Sequence, residues 1–383
     1  MRIIADENIP YVAEVFGKVG TVRTLPGRKM TRDELGQADV LLVRSVTPVN
    51  EALLAGTPVR FVGSATIGFD HLDAAYLERR NIACATAIGS NANSVAEYVT
   101  AALLVLAERF DLRLHGRTLG VVGYGNVGSK VVRYASQVLG MEVLINDPPL
   151  QRQGVPVDFV DLDRTLAESD AVTLHVPLTR TGPDRTHKLI DAAHLARMRP
   201  EAILLNTARG SVVVGADLKA ALQQNRLRAA VLDVWQNEPA IDPQLLKLVA
   251  IGTPHIAGYS LDGKIAGTQM LFDAVCRHFN ITDKFVDWSK LVPAAKNAEI
   301  SLQPSGDDQK DMRQLIRRVY DIEADDARLR KLTDRPAEQQ GSCFDKLRKE
   351  YPVRREAWNY TVKLAAQAPS LRVKLESFRF NVQ

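Results

Sequence analysis

Short apolar runs alternate with longer, mixed spans through the first 260 residues, the pattern of buried parallel strands joined by helices. The runs from Arg2 to Ala5, Val40 to Val43, Arg60 to Gly63 and Ile82 to Ala85 predict a small α/β unit. Those from Thr118 to Val122, Glu142 to Asp147, Ala171 to His175, Ala202 to Asn206, Ala229 to Val234 and Ala250 to Gly252 predict a second, larger one. Between the two sets, the stretch from Asn91 to Phe110 reads as a long helix that crosses from the first unit to the second. Its expected N-cap is Ser94, with Glu97 three residues on completing a capping box. Beyond residue 290 the pattern changes. Helical spacing runs from Asp311 to Tyr320, and apolar positions recur from Phe344 to Tyr351 and from Val362 to Ala366, enough that the segment is expected to need a partner to bury them. The aromatics Phe344, Tyr351, Trp358, Phe378 and Phe380 argue against disorder there.

The second set of strands opens on Leu119-Gly-Val-Val-Gly-Tyr-Gly-Asn-Val-Gly-Ser129. Gly123, Gly125 and Gly128 stand at the G-x-G-x-x-G spacing that turns the backbone tightly, lets it approach a pyrophosphate and packs a helix on a strand. The residues from Lys130 to Leu139 supply the helix, whose N-terminus offers amide donors to phosphate. Asp147 ends the next strand, 19 residues after Gly128, where a carboxylate accepts the ribose hydroxyls of a dinucleotide and repels a 2′-phosphate. NAD is the expected cofactor.

Composition narrows the function classes. The chain of 383 residues is 46% hydrophobic and 25% charged, with no apolar run long enough to span a bilayer. Acids in the first eight residues replace the apolar stretch of an export signal, and Cys84, Cys276 and Cys343 show neither metal-ligand spacing nor a disulfide framework. A cytoplasmic protein without a metal site is expected. The net charge of +4 lies wholly beyond residue 290, where 18 basic residues stand against 14 acidic ones. Signs there are interspersed, as from Asp321 to Lys331, which predicts a solvated helix face and no nucleic-acid partner.

Three strand ends after the glycine loop each offer one candidate catalytic group: Arg209 in Asn206-Thr-Ala-Arg-Gly210, Glu238 in Asp233-Val-Trp-Gln-Asn-Glu-Pro239, and His255 in Thr253-Pro-His-Ile-Ala-Gly258. Oxidation of a hydroxy acid needs a cation for the carboxylate, a base for the hydroxyl proton and an acid that tunes the base. Arginine, histidine and glutamate fit those needs in turn. In the first unit, the loops Arg44-Ser-Val-Thr-Pro48 and Gly63-Ser-Ala-Thr-Ile-Gly-Phe-Asp70 follow strands and carry small polar residues suited to holding substrate.

With His175-Val-Pro-Leu-Thr179, these segments resemble the D-isomer-specific 2-hydroxyacid dehydrogenases in order and spacing, over roughly residues 1 to 290. The resemblance implies that Arg209 binds the substrate carboxylate, that His255 is the acid/base and that Glu238 pairs with it. It also implies an α/β fold of two Rossmann-like doubly wound lobes: a discontinuous substrate lobe of residues 1–92 and 258–290, and an NAD-binding domain of residues 93–257. A narrower resemblance, to a branch of the family that acts on a phosphorylated 2-hydroxy acid, rests on Arg44-Ser-Val-Thr47, Ser64-Ala-Thr-Ile-Gly68, Gly252-Thr-Pro-His-Ile-Ala-Gly-Tyr-Ser260, the insertion Thr181-Gly-Pro-Asp184 and the C-terminal extension. That branch implies substrate contacts from Ser45, Thr66 and Tyr259, with Arg44 or Tyr259 toward the phosphate. NAD contacts are implied for Gly123, Gly125, Asn126, Val127, Gly128, Asp147, His175, Val176, Asn206, Thr207, Ala208, Arg209, Asp233 and Gly258. Residues 291–383 are implied to be an α+β domain that forms a homodimer. Two rivals stand: a dehydrogenase of another phosphorylated 2-hydroxy acid, such as phosphoglycerate, and an NAD-sensing corepressor that binds partner peptides.

Overall fold

The computed structural model describes residues 1–282 and 285–383; residues 283 and 284, inside the expected 258–290 stretch, lie outside the described residues. The chain divides into two compact units, Met1–Asn91 with Ser260–Ala294, and Ala92–Tyr259 with Ala295–Gln383.

The first unit is built on five parallel strands: β1 (Arg2–Asp6), β2 (Thr21–Leu25), β3 (Val40–Val43), β4 (Phe61–Ser64) and β5 (Ala83–Thr86), in the order β2-β1-β3-β4-β5. Strands β3 and β4 are buried along their length because both faces are covered. Strand β2 escaped the sequence pattern. It is an edge strand, Thr-Val-Arg-Thr-Leu, with no fully buried position, so it lacks the apolar run that marks its neighbours. The helix Leu261–His278 packs on this sheet, with Phe272 edge-on to Phe16 at 5.4 Å.

The second unit carries six parallel strands: β6 (Thr118–Val122), β7 (Glu142–Asn146), β8 (Ala171–Leu174), β9 (Ile203–Asn206), β10 (Ala229–Leu232) and β11 (Ile251–Gly252), in the order β7-β6-β8-β9-β10-β11. A parallel bridge from Ile145 to Phe159 continues the sheet past β7. Strand order reverses between β6 and β8, the switch point at which doubly wound sheets bind ligands. Three further parallel strands, β12 (Glu299–Leu302), β13 (Thr361–Leu364) and β14 (Asn381–Val382), form a small sheet in the C-terminal segment. No helix among the described residues is long and apolar enough to cross a membrane.

The long helix runs Ala92–Arg109 and is buried on every side. Its apolar side chains share one cluster with Leu119, Val121 and Val131 of the six-stranded half and with Met312, Leu315, Ile316 and Tyr320 of the C-terminal segment. Much of the apolar surface expected to await a partner is therefore covered within this chain: Phe344 and Phe378 are as deeply buried as any core residue.

The expected capping box is corrected. Ser94 lies inside the helix, and its hydroxyl donates to Glu356 Oε1 at 2.8 Å; Glu97 accepts from the Ala357 amide at 2.9 Å and from Arg354 at 3.4 Å. Both side chains are engaged by residues some 260 positions away, a tertiary use that local spacing mimics. The solvated face expected from Asp321 to Lys331 is corrected too. On the helix Ile322–Arg330, Asp325 is buried and accepts the Tyr351 hydroxyl at 2.8 Å, while Asp326 accepts the Gly252 amide at 2.7 Å.

Burial, with the nearby Glu356 charge, pushes Glu97 up to about 8 against an ordinary 4.5, more than Arg354 and the Ala357 amide pull it down. The folded state thus binds more protons than the unfolded chain across that window, so this group's stabilisation is complete below 4.5 and is lost as pH rises toward 8. Unfolding in urea at about pH 5 and about pH 8 should show the wild type losing stability relative to Glu97→Gln, by at most roughly 1.4 kcal/mol per pH unit. Parallel curves for the two proteins would mean that Glu97 ionises normally.

Candidate active site

The three glycines of the loop after β6 differ in what surrounds them. Gly123 has φ +94°, and a Cβ there would sit 2.6 Å from the carbonyl oxygen of His175. A Cβ on Gly128 would lie 1.9 Å from the Gly123 carbonyl oxygen, so only glycine lets the helix Gly128–Gln137 start against the strand. At Gly125 a Cβ would meet nothing within 4 Å, and Gly125 and Asn126 are exposed. This is the open side of the loop, with room for a pyrophosphate against the backbone. Asp147 braces it: one carboxylate oxygen accepts the Tyr124 amide at 2.8 Å and the other the Leu150 amide at 3.0 Å, each oxygen keeping a lone pair for another donor. Val127 packs partly into the core and Val176 presents no polar side-chain atom. The residues therefore fit a dinucleotide.

Across the switch point, His175 directly follows β8. Its ring contacts Thr173 Oγ1 at 2.9 Å and Thr207 Oγ1 at 3.3 Å, and burial drives it down to about 3, so it remains neutral. Asn206 shapes the turn after β9, accepting the Ala208 amide and donating to the Arg209 carbonyl, both at 3.0 Å. Gly210 then packs so tightly that a Cβ would fall 2.0 Å from the Trp235 carbonyl. That contact seats the Arg209 turn on the loop carrying Glu238.

His255 and Glu238 meet directly, Nδ1 to Oε2 at 2.8 Å, with a third of the histidine side chain exposed. The other Glu238 oxygen accepts the Trp235 amide at 2.8 Å. Burial alone would raise Glu238, but the His255 charge, the hydrogen bond to the ring and the Trp235 amide outweigh it and hold the carboxyl below its ordinary value. His255 has φ +58°, a left-handed conformation rare for a residue with a side chain. Asp233 sustains it. Its carbonyl accepts the His255 amide at 2.7 Å, and its buried carboxylate accepts the Thr253 hydroxyl and the amides of Ile256 and Ala257 at 2.6, 2.7 and 3.0 Å. Both Asp233 oxygens are thus used within the loop that ends at Gly258 and Tyr259.

In the first unit, Thr66 Oγ1 lies 2.9 Å from Ser64 Oγ, which in turn contacts His71 Nε2 at 2.9 Å; Arg44 and the exposed Ser45 follow β3. Lys264, in the first turn of Leu261–His278, had no signal in the sequence pattern. Burial, and then the charge of Arg44, bring it down to about 8. Among the described residues, no group of three metal-ligating side chains clusters.

Residues 89–257 match the family model for the NAD-binding domain of D-isomer-specific 2-hydroxyacid dehydrogenases, and residues 291–375 match one described as a domain of unknown function, DUF3410. The chain is 50% identical to an erythronate-4-phosphate dehydrogenase of Salinibacter ruber, covering 94% of each chain. It is 47% identical to the enzyme of that name from Cellvibrio japonicus, covering 97% of each. The chain belongs to the D-isomer-specific 2-hydroxyacid dehydrogenase family. Among solved structures, a D-lactate dehydrogenase from Aquifex aeolicus, complexed with NAD and lactic acid, superimposes with a TM-score of 0.61 at 26% identity, over 77% of this chain and all of that one. This family member is an NAD-dependent oxidoreductase.

Gly125 and Gly128 separate cofactor binding from folding. Gly125→Ala should keep the thermal midpoint and weaken NADH binding by roughly tenfold, read by fluorescence titration, because its methyl meets no protein atom and only the ligand's path. Gly128→Ala should instead cost about 1–3 kcal/mol of stability through overpacking. Unchanged NADH affinity in Gly125→Ala would remove the loop from the cofactor site.

Proposed function

We propose that this enzyme oxidises the C2 hydroxyl of 4-phospho-D-erythronate to 2-oxo-3-hydroxy-4-phosphobutanoate, a step of pyridoxal 5′-phosphate biosynthesis. The observation that carries the chemistry is the 2.8 Å contact between His255 Nδ1 and Glu238. A carboxylate on Nδ1 keeps the proton there and leaves Nε2 free to take the proton of the substrate hydroxyl. Glu238 then balances the imidazolium that results. The guanidinium of Arg209 offers a planar fork to the substrate carboxylate and polarises the oxygen at C2. Bound NAD supplies the acceptor for the hydride leaving C2. The names of the Salinibacter and Cellvibrio relatives support erythronate 4-phosphate as the acid.

Asp147 is assigned to the adenosine ribose, the backbone of Gly123 to Gly128 to the pyrophosphate, and His175, Val176, Asn206 to Ala208 and Gly258 to the rest of the dinucleotide. Asp233 is assigned to shaping the loop beside it, in keeping with its buried carboxylate. Ser45, Thr66 and Tyr259 are assigned to the substrate, and Arg44 with Lys264 to its phosphate, since two cations held close enough to repel favour a dianion. The cytoplasm suits three free cysteines. A homodimer through residues 291–383 is supported by the exposed apolar side chains Val353, Trp358 and Val373; sedimentation as a monomer counts against it.

A panel of 2-hydroxy acids with NAD, followed by absorbance of the reduced cofactor and repeated with a keto acid as second acceptor, tests the substrate. The highest kcat/KM is expected for 4-phospho-D-erythronate, and a preference for 3-phosphoglycerate rejects the assignment. His255→Ala should lower kcat by about a thousandfold or more with NADH affinity unchanged. Lys264→Met should raise KM for phosphorylated acids and leave their unphosphorylated counterparts unaffected; an equal rise for both removes it from the phosphate.

A further inference from the structure

The C-terminal segment reaches the reacting end of the second unit through a residue that no part of the family pattern marks. Arg348, on the helix Ala337–Lys349, donates from Nη2 to the Tyr259 hydroxyl at 3.1 Å, and its guanidinium carbon lies 5.8 Å from the centre of that ring. The opposite constraint on Tyr259 is Tyr351, edge-on at 5.9 Å and itself anchored to Asp325 at 2.8 Å. The same helix lies against the loop that carries Glu238: a Cβ on Gly341 would meet the Pro239 ring at 3.5 Å. A further C-terminal arginine, Arg354, donates to the Ala257 carbonyl at 3.2 Å, two residues before Tyr259.

We propose that Arg348 is a positioning residue for hydroxy-acid oxidation, orienting the Tyr259 hydroxyl and placing a fixed positive charge beside the Glu238–His255 pair. The proposal rests on the roles assigned above to Glu238, His255 and Tyr259. Its charge is well suited to the task. Burial opposes it, but Tyr259 and Glu238 outweigh that and hold the guanidinium protonated more firmly than usual. Around Glu238 the polar groups are the His255 ring, the Trp235 amide and Arg348; around Arg348 they are Tyr259, Glu238 and Asp345, and Asp233 lies behind His255. Arg348 is thus a cation supplied to the pair from outside the nucleotide-binding fold. Removing it makes Glu238 harder to ionise, which moves the acid limb of kcat/KM to higher pH.

The test compares Arg348→Met, which keeps the aliphatic stem, with Arg348→Lys, Tyr259→Phe and the Arg348→Met/Tyr259→Phe pair, all as full-length holoenzymes. Arg348→Met should lower kcat/KM by roughly 10- to 100-fold, the range for losing a charge-assisted hydrogen bond. Its acid limb should rise by roughly half a pH unit or more. NADH affinity and the thermal midpoint should hold. Arg348→Lys should restore the limb but only part of kcat, and Tyr259→Phe should add little to Arg348→Met. An unmoved acid limb, or losses that are additive across the pair and track a lowered thermal midpoint, overturns the proposal and leaves Arg348 a packing residue. If the wild type ignores 4-phospho-D-erythronate, the substrate assignment alone fails. The ring titration of His255, followed by NMR in the holoenzyme, then still reads the charge of Arg348: an upward shift in Arg348→Met supports the role and coincident curves reject it.

Discussion

A charge that cannot reach water organises the second unit. Arg354 is nearly inaccessible, and its guanidinium is met by the Tyr320 ring at 3.7 Å, the Ser94 and Ala257 carbonyls at 2.8 and 3.2 Å, and Glu97 at 3.4 Å. An unmatched buried cation would cost several kcal/mol, so the stability of this arrangement depends on these partners. They come from the long helix, from the loop carrying His255 and from the last ninety residues. Glu356 extends the network through Ser94 at 2.8 Å and Arg379 at 3.2 Å. Apolar burial holds the same elements together without direction; the charges choose the register in which they meet.

That register matters because the paired His255 and Glu238 sit on a strained loop. A histidine at positive φ persists only when its surroundings over-determine it. Asp233 does so with four accepted hydrogen bonds, Trp235 fixes Glu238 while its indole donates to the Thr253 carbonyl at 2.9 Å, and the C-terminal segment holds the loop at both ends, at Gly252 before it and at Ala257 and Tyr259 after it. The appended segment is therefore part of the framework of the site.

On the cofactor side the constraint is steric. Gly123 and Gly128 are filled-in positions that exclude a side chain against their own backbone, whereas Gly125 faces open space. One spacing in the sequence thus serves two ends, closing strand onto helix and leaving one side of the loop open at the point where strand order reverses.

Strand periodicity, the glycine spacing and the succession of Arg209, Glu238 and His255 were all legible in the chain, because each depends on residues within a few positions of one another or on the order of elements. The pairing of His255 with Glu238 followed from that order, since neighbouring parallel strands bring their ends together. Edge strand β2 was not legible, having no buried face to write an apolar run. Ser94 and Glu97 carried the spacing of a cap and serve a different purpose; Asp325 sat in a polar run and is buried; Lys264, Arg348 and Arg354 had no local mark at all. Local pattern records which face of an element is apolar and where the backbone must bend. Which distant polar group answers a buried one depends on the path the chain takes to return, and only the tertiary structure decides that.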